Sequence, residues 1–119
     1  LKTLLPCSYC RNSYTVMLHF LPVNLFSGTN TGLIYWTYLI HSFVNNKLNH
    51  QNITMDEFLN LYRPMCIEDH YLNTHTNENI INCINNNYYK LAETLTRTYV
   101  RTLKIYGNDH DKVLKEFKL

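Results

Sequence analysis

Two thiols three residues apart, Cys7 and Cys10 in the run Leu5-Pro6-Cys7-Ser8-Tyr9-Cys10, are the side chains of this sequence best suited to chemistry. At the head of a helix, where unpaired backbone N–H groups favour an anion, a thiol pKa falls from about 8.5 toward a range of about 3.5 to 7.5. Thiolate is then available near neutrality, and the pair can close a disulfide and reopen it with little rearrangement. That describes a redox motif. The same spacing also serves as half of a zinc site, or as two inert buried thiols. A thioredoxin-type motif requires a βαβ surrounding, and no strand pattern is present. A zinc site needs two more ligands, which Cys66, His70 and His75 could supply. More than fifty residues separate them from Cys10, whereas structural fingers keep their ligand pairs within about 12 to 20 residues.

A second constellation runs from Tyr35 and Trp36 through His41 to Asn49. His41 and Asn45 are four apart, so on a helix they lie one turn above each other on one face, with Leu48 a turn further on. A histidine and an asparagine among Thr37, Val44 and Leu48 need polar partners if that face is buried. The plain interpretation is a partly exposed helix face. The sharper one is a ligand that presents a flat aromatic system with polar edges.

The elements that must hold these residues are helical. Gly and Pro number three each in 119 residues, so helices meet few interruptions, and apolar residues recur with the 3.6-residue period nearly throughout. The pattern predicts an all-α protein. A first helix is expected from about Cys7 to Phe20, ended by Leu21-Pro22 because the residue before a proline avoids the helical region. Turn formers from Pro22 to Gly32 predict a loop, and a helix from about Leu33 to Leu48 follows. Thr54-Met55-Asp56-Glu57 has the form of a capping box and should start a short helix over Met55 to Tyr62, stopped by Pro64. After an irregular stretch through His75, residues Ile80, Ile81, Ile84, Tyr88, Leu91, Leu95, Tyr99 and Leu103 trace one long amphipathic helix that Gly107 closes. Tyr88, Leu91, Leu95 and Tyr99 are expected in the core. A terminal helix is expected from about Asp109 to Phe117.

Composition narrows the function. Hydrophobic residues make up 45% and charged residues 17% of the chain, which fits a chain that folds around a core and not a disordered one. The formal charge is +2, and no basic run interleaves with aromatics, so nucleic-acid binding is not expected. Leu33 to Val44, the most apolar stretch, is interrupted by Thr37, His41 and Ser42 and falls short of the roughly 20 residues a membrane span needs. Sixteen Asn and ten Tyr beside a single Ala read as a genome bias, because Asn, Tyr, Ile and Lys share A/T-rich codons. An A/T-rich virus or parasite is the expected source. The first residue is Leu1 and not Met, so a longer parent protein is expected.

Leu5-Pro6-Cys7-Ser8-Tyr9-Cys10, followed by Trp36 and then His41-x-x-Val44-Asn45-x-Lys47-Leu48, resembles the FAD-linked sulfhydryl oxidases of the Erv/ALR family, the viral members above all. The resemblance covers about residues 1 to 62. It implies a helical bundle, part of a four-helix bundle with a short fifth helix, over residues 1–65, and leaves 66–119 as a helical extension. It implies non-covalent FAD and often a homodimer. Carried over, Cys7 exchanges with the thiols of protein dithiol substrates and Cys10 passes electrons to the flavin, with O2 as the final acceptor. His41 and Asn45 contact the adenosine end, Lys47 and Leu48 lie near it, Trp36 walls the pocket and Tyr62 lines it. The implied location is the cytoplasm of an infected cell or the virion, or the mitochondrial intermembrane space for a cellular member. Cys66 and Cys83 lie outside the resemblance; free buried thiols are the default for them, and a shuttle or structural disulfide the alternative.

Overall fold

The computed structural model describes residues 8–119, with side chains from residue 11 onward. Among these residues every regular element is helical and none is a strand. In chain order they are α1 (Ser8–Phe20), a 3-10 turn (Val23–Leu25), α2 (Asn30–Lys47), α3 (Met55–Tyr62), a second 3-10 turn (Arg63–Cys66), α4 (His70–Thr74), α5 (Asn77–Asn87), α6 (Tyr89–Ile105) and α7 (His110–Glu116). The all-α expectation holds. No helix among the described residues is long and apolar enough to cross a membrane.

Two compact units organise the chain. One joins the chain through Pro22 to Leu91–Leu119, and the other is Val23–Lys90. In the first, α1 buries Ser13, Val16, Met17 and Phe20, while α6 and α7 bury Ala92, Tyr99, Thr102, His110 and Val113. The Phe20 ring lies 5.5 Å from Tyr99 and 5.9 Å from Phe117. The Tyr99 hydroxyl and His110 Nε2 form a buried hydrogen bond of 2.6 Å. Asn12 on α1 donates to Asp111 on α7 at 3.2 Å, so residues about a hundred apart in sequence are neighbours.

The second unit packs α5 against α2 and α3 and buries Phe26, Ile34, Tyr35, Leu39, Phe43, Phe58, Leu59, Leu72, Ile80 and Ile84. Helix α2 starts at Asn30, three residues ahead of the expected Leu33. The cause is Thr29, whose side chain accepts from the Gly32 N–H at 3.0 Å and caps the helix. Gly32 is required by close packing: a Cβ there would meet the Phe26 carbonyl oxygen at 2.1 Å and the Tyr88 ring at 2.8 Å. At the other end Asn49 adopts φ 57°, a left-handed conformation that Asn tolerates, and the His50 N–H returns to the Asn45 carbonyl at 2.8 Å.

The expected long helix from Ile80 to Leu103 is broken. Tyr88, at φ −126° and ψ −20°, separates α5 from α6. Its ring stacks on Phe26 at 5.9 Å and its hydroxyl bonds that of Thr29, so packing holds this residue off the helical path. The three asparagines before it are weak helix formers whose side chains compete for backbone groups, and Asn87 does so on the Cys83 carbonyl at 3.0 Å. The stretch expected to be irregular up to His75 contains α4, which Asp69 caps by accepting from the Leu72 N–H. Pro64 ends α3 as expected, and the chain continues as a 3-10 turn. Gly107 sits at φ 65° beyond α6, and Asp109 caps α7.

Candidate functional site

Helix α2 turns Tyr38, His41, Ser42 and Asn45 toward one side, as spacings of three, four and seven residues require. Across from them α3 presents Phe58, Leu61 and Tyr62, and the following turn adds Met65. Ile53, in the connection between the two helices, completes the lining of a groove of about 230 Å3. All nine residues belong to the second unit, so the groove is internal to it.

The local reason for α3 is reciprocal capping. Thr54 Oγ1 accepts from the Glu57 N–H at 3.1 Å, and the Glu57 carboxylate accepts from the Thr54 N–H at 3.2 Å. The helix so fixed buries Phe58 and Leu59. The rings then pack on one another. Phe58 stacks on Tyr62 at 5.4 Å and 24°, meets Tyr38 nearly edge-on at 5.4 Å and 65°, and approaches the His41 ring at 5.8 Å. Tyr38 continues the series onto Tyr35 at 6.3 Å and 15°.

Polar edges face the same space. Ser42 Oγ donates to the Tyr38 carbonyl at 3.1 Å, and the Tyr38 hydroxyl donates to the Ile53 carbonyl at 2.7 Å. Burial raises the Tyr38 pKa above its ordinary range, a hydrogen bond with Ser42 opposes the rise, and the Glu57 carboxylate adds to it. Burial also raises Tyr62, followed by the Cys66 thiol beside it and the Asp69 carboxylate. Both hydroxyls keep their proton at neutral pH, and that of Tyr38 is engaged by the Ile53 carbonyl. The groove therefore offers stacked aromatic walls with imidazole, amide and hydroxyl groups along its rim. Its lining contains neither Lys nor Arg.

Of the site residues expected from sequence, His41, Asn45 and Tyr62 meet in this groove. Trp36 and Lys47 lie eleven residues apart on α2, hence on one face, and that face is turned away from Asn45 by the helical period. Leu48 caps the end of α2 and is 54% exposed. These three do not line the groove. Tyr38, Ser42, Ile53, Phe58, Leu61 and Met65 do, and the sequence reading passed over them. Tyr38 and Ser42 were within reach, since they neighbour His41 at helical spacing, as Phe58 neighbours Tyr62. Cys7 lies outside the described residues, and Cys10 falls on the first turn of α1. Cys66 and Cys83 are half-buried free thiols. Among the described residues no three His, Cys, Asp or Glu side chains gather as a metal site would need. His75, one of the candidate zinc ligands, stacks on Tyr71 at 4.0 Å and meets the Tyr71 carbonyl through Nδ1.

The groove has the chemistry to take a flat group with a polar edge. Stacked rings fit a flat heterocycle, and the amide and imidazole fit its polar edge. A diphosphate would need cations from outside the lining. No family model matches the chain, and no solved structure matches it significantly. The chain is similar to a protein of the FAD-linked sulfhydryl oxidase class: over 64 residues it is 36% identical to a curated relative, a stretch that covers 54% of this chain and 52% of the relative. That relative is the FAD-linked sulfhydryl oxidase of African swine fever virus (isolate Warthog/Namibia/Wart80/1980). The chain thus spans about half the length of the curated relative it matches. The similarity supports a relationship to sulfhydryl oxidases over that half.

Proposed function

We propose that the chain is part of an FAD-dependent thiol oxidase that forms disulfides in protein dithiol substrates and delivers the electrons to O2. The observation that carries this reading is the groove: His41, Asn45 and Tyr62, singled out by their resemblance to an FAD-binding pattern, line one aromatic cleft suited to a nucleoside. The similarity to a viral sulfhydryl oxidase supports it as well.

In this reading the Cys7–Cys10 disulfide is the working group. A client thiolate attacks the Cys7 sulfur, the Cys7–Cys10 bond breaks, and Cys10 leaves as thiolate. The second client thiol then attacks the mixed disulfide, forming the client disulfide and releasing Cys7. FAD supplies the capacity to accept an electron pair from a dithiol and pass it to dioxygen. Overall, two thiols and one O2 become one disulfide and one H2O2. His41 and Asn45 would meet the polar edge of the adenine, and Tyr62, backed by Phe58, would offer it an aromatic surface. By analogy with the relative, the setting is an infected cell or a virion.

The test is the colour of the purified chain. The yellow flavin band, with Asn45→Ala reducing FAD occupancy and Cys10→Ser abolishing thiol-dependent O2 consumption, is the expected result. A colourless chain carrying stoichiometric zinc would replace this reading by the metal-site alternative for Cys7 and Cys10.

A further inference from the structure

The connection from α2 to α3 does not leave the site freely. It doubles back along α2: Asn49 reverses the chain, the His50 N–H returns to the Asn45 carbonyl, and Asn52 Nδ2 donates to Asn46 Oδ1 at 3.0 Å. From Asn45 to Tyr38 the helix rises by about 10 Å, at about 1.5 Å per residue, and there the Tyr38 hydroxyl holds the Ile53 carbonyl. The next residue, Thr54, opens the capping box from which α3 departs. One hydroxyl therefore fixes the point at which the opposite wall of the groove begins. The same tyrosine's ring lies nearly edge-on to Phe58 within that wall.

Resting on the functional reading above, we infer that Tyr38 is a positioning residue for the nucleotide: its hydroxyl latches the connecting loop to α2 and sets the separation of the walls that grip the base. Removal of that hydroxyl leaves Tyr38's ring in place and releases Ile53, so the cleft loosens while the helices persist. Tyr88 is the matched control. Its hydroxyl also bonds a partner on the α2 side of the same unit, Thr29, and it does not line the groove.

The experiment titrates FAD into the full wild-type chain, Tyr38→Phe and Tyr88→Phe, following flavin fluorescence, with thermal melts and amide hydrogen exchange on all three. Tyr38→Phe should weaken FAD on the order of tenfold, the scale of one lost hydrogen bond, and accelerate exchange over residues 50–54. Tyr88→Phe should lower the melting temperature and keep the FAD dissociation constant within about twofold. The inference is overturned if Tyr38→Phe binds FAD as wild type does, or if both variants weaken it equally. A wild-type chain that takes up no FAD overturns the functional reading and this latch with it.

Discussion

At the residue scale the tightest constraint is steric. Gly32 stands where the Phe26 carbonyl and the Tyr88 ring close over the first turn of α2. Any side chain there must push backbone aside. Gly32→Ala should therefore destabilise the protein by about 1 to 3 kcal/mol, the usual cost of overpacking, even though Ala is the better helix former. A urea midpoint equal to that of wild type would refute this packing. Tyr35 makes the second residue-scale case. It is 7% exposed, and burial first, then the neighbouring Tyr89 and Tyr38 hydroxyls, push its pKa from 10.0 up to about 12. The folded state keeps a proton that the unfolded state releases. The stability this supplies is fully present below pH 10 and is lost as pH rises toward 12. Denaturation midpoints should fall across that window, while the absorbance titration shows a late phenolate that Tyr35→Phe removes. A single tyrosine titration near 10 with a flat stability profile would contradict it.

At the scale of elements, what is encoded locally was legible and what is encoded by contact was not. Thr54 and Glu57 announce α3 by a three-residue rule, and the helix occupies Met55–Tyr62 as that rule predicts. Tyr88 carries no comparable signal. Its apolar neighbours keep the helical beat through it, and its attachment to Phe26 and Thr29, added to the weak helix formers Asn85 to Asn87, breaks the helix. The groove divides in the same way: His41 and Asn45 stand out by type, whereas Tyr38 and Phe58 look like ordinary core until they face each other. Arg63 is another case, since a single arginine after a short helix says nothing about its partners. Its guanidinium donates to Asn77 Oδ1 at 2.9 Å and to the carbonyls of Leu72 and His75, the last at 2.8 Å. Asn77 in turn donates to Asp56 and Asn60, both at 2.9 Å. This network joins α3, α4 and α5 through a planar fork. Arg63→Lys keeps the charge and loses the fork, so it should cost about 1 to 3 kcal/mol, as when buried acceptors are left unmade. Rescue by lysine would mean that charge, and not geometry, matters there.

At the scale of the whole molecule, chain order and packing order differ. Cys10 sits on α1, within the stretch that resembles sulfhydryl oxidases, yet α1 packs against α7, which begins a hundred residues beyond that cysteine. Their contact rests on the buried Val113, on Phe117 against His19 and Phe20, and on the Asn12–Asp111 hydrogen bond. Sequence periodicity could place both helices and could not pair them, because a pairing across that distance leaves no local trace. A role for the C-terminal residues follows: they hold the cysteine-bearing helix. Truncation after Asn108 removes the seven residues of α7 together with Phe117, which covers His19 and Phe20 on α1. An isolated helix of thirteen residues is marginal in water, so α1 should melt together with the missing partner. Far-UV circular dichroism should then lose about twenty residues of helix, the sum of both elements, in place of the seven deleted. Val113→Ala, a milder probe, should lower stability by about 1 to 3 kcal/mol and speed amide exchange along α1 ahead of α3. A truncated chain that loses only the seven-residue signal and keeps its α1 amides protected would show that α1 stands without α7.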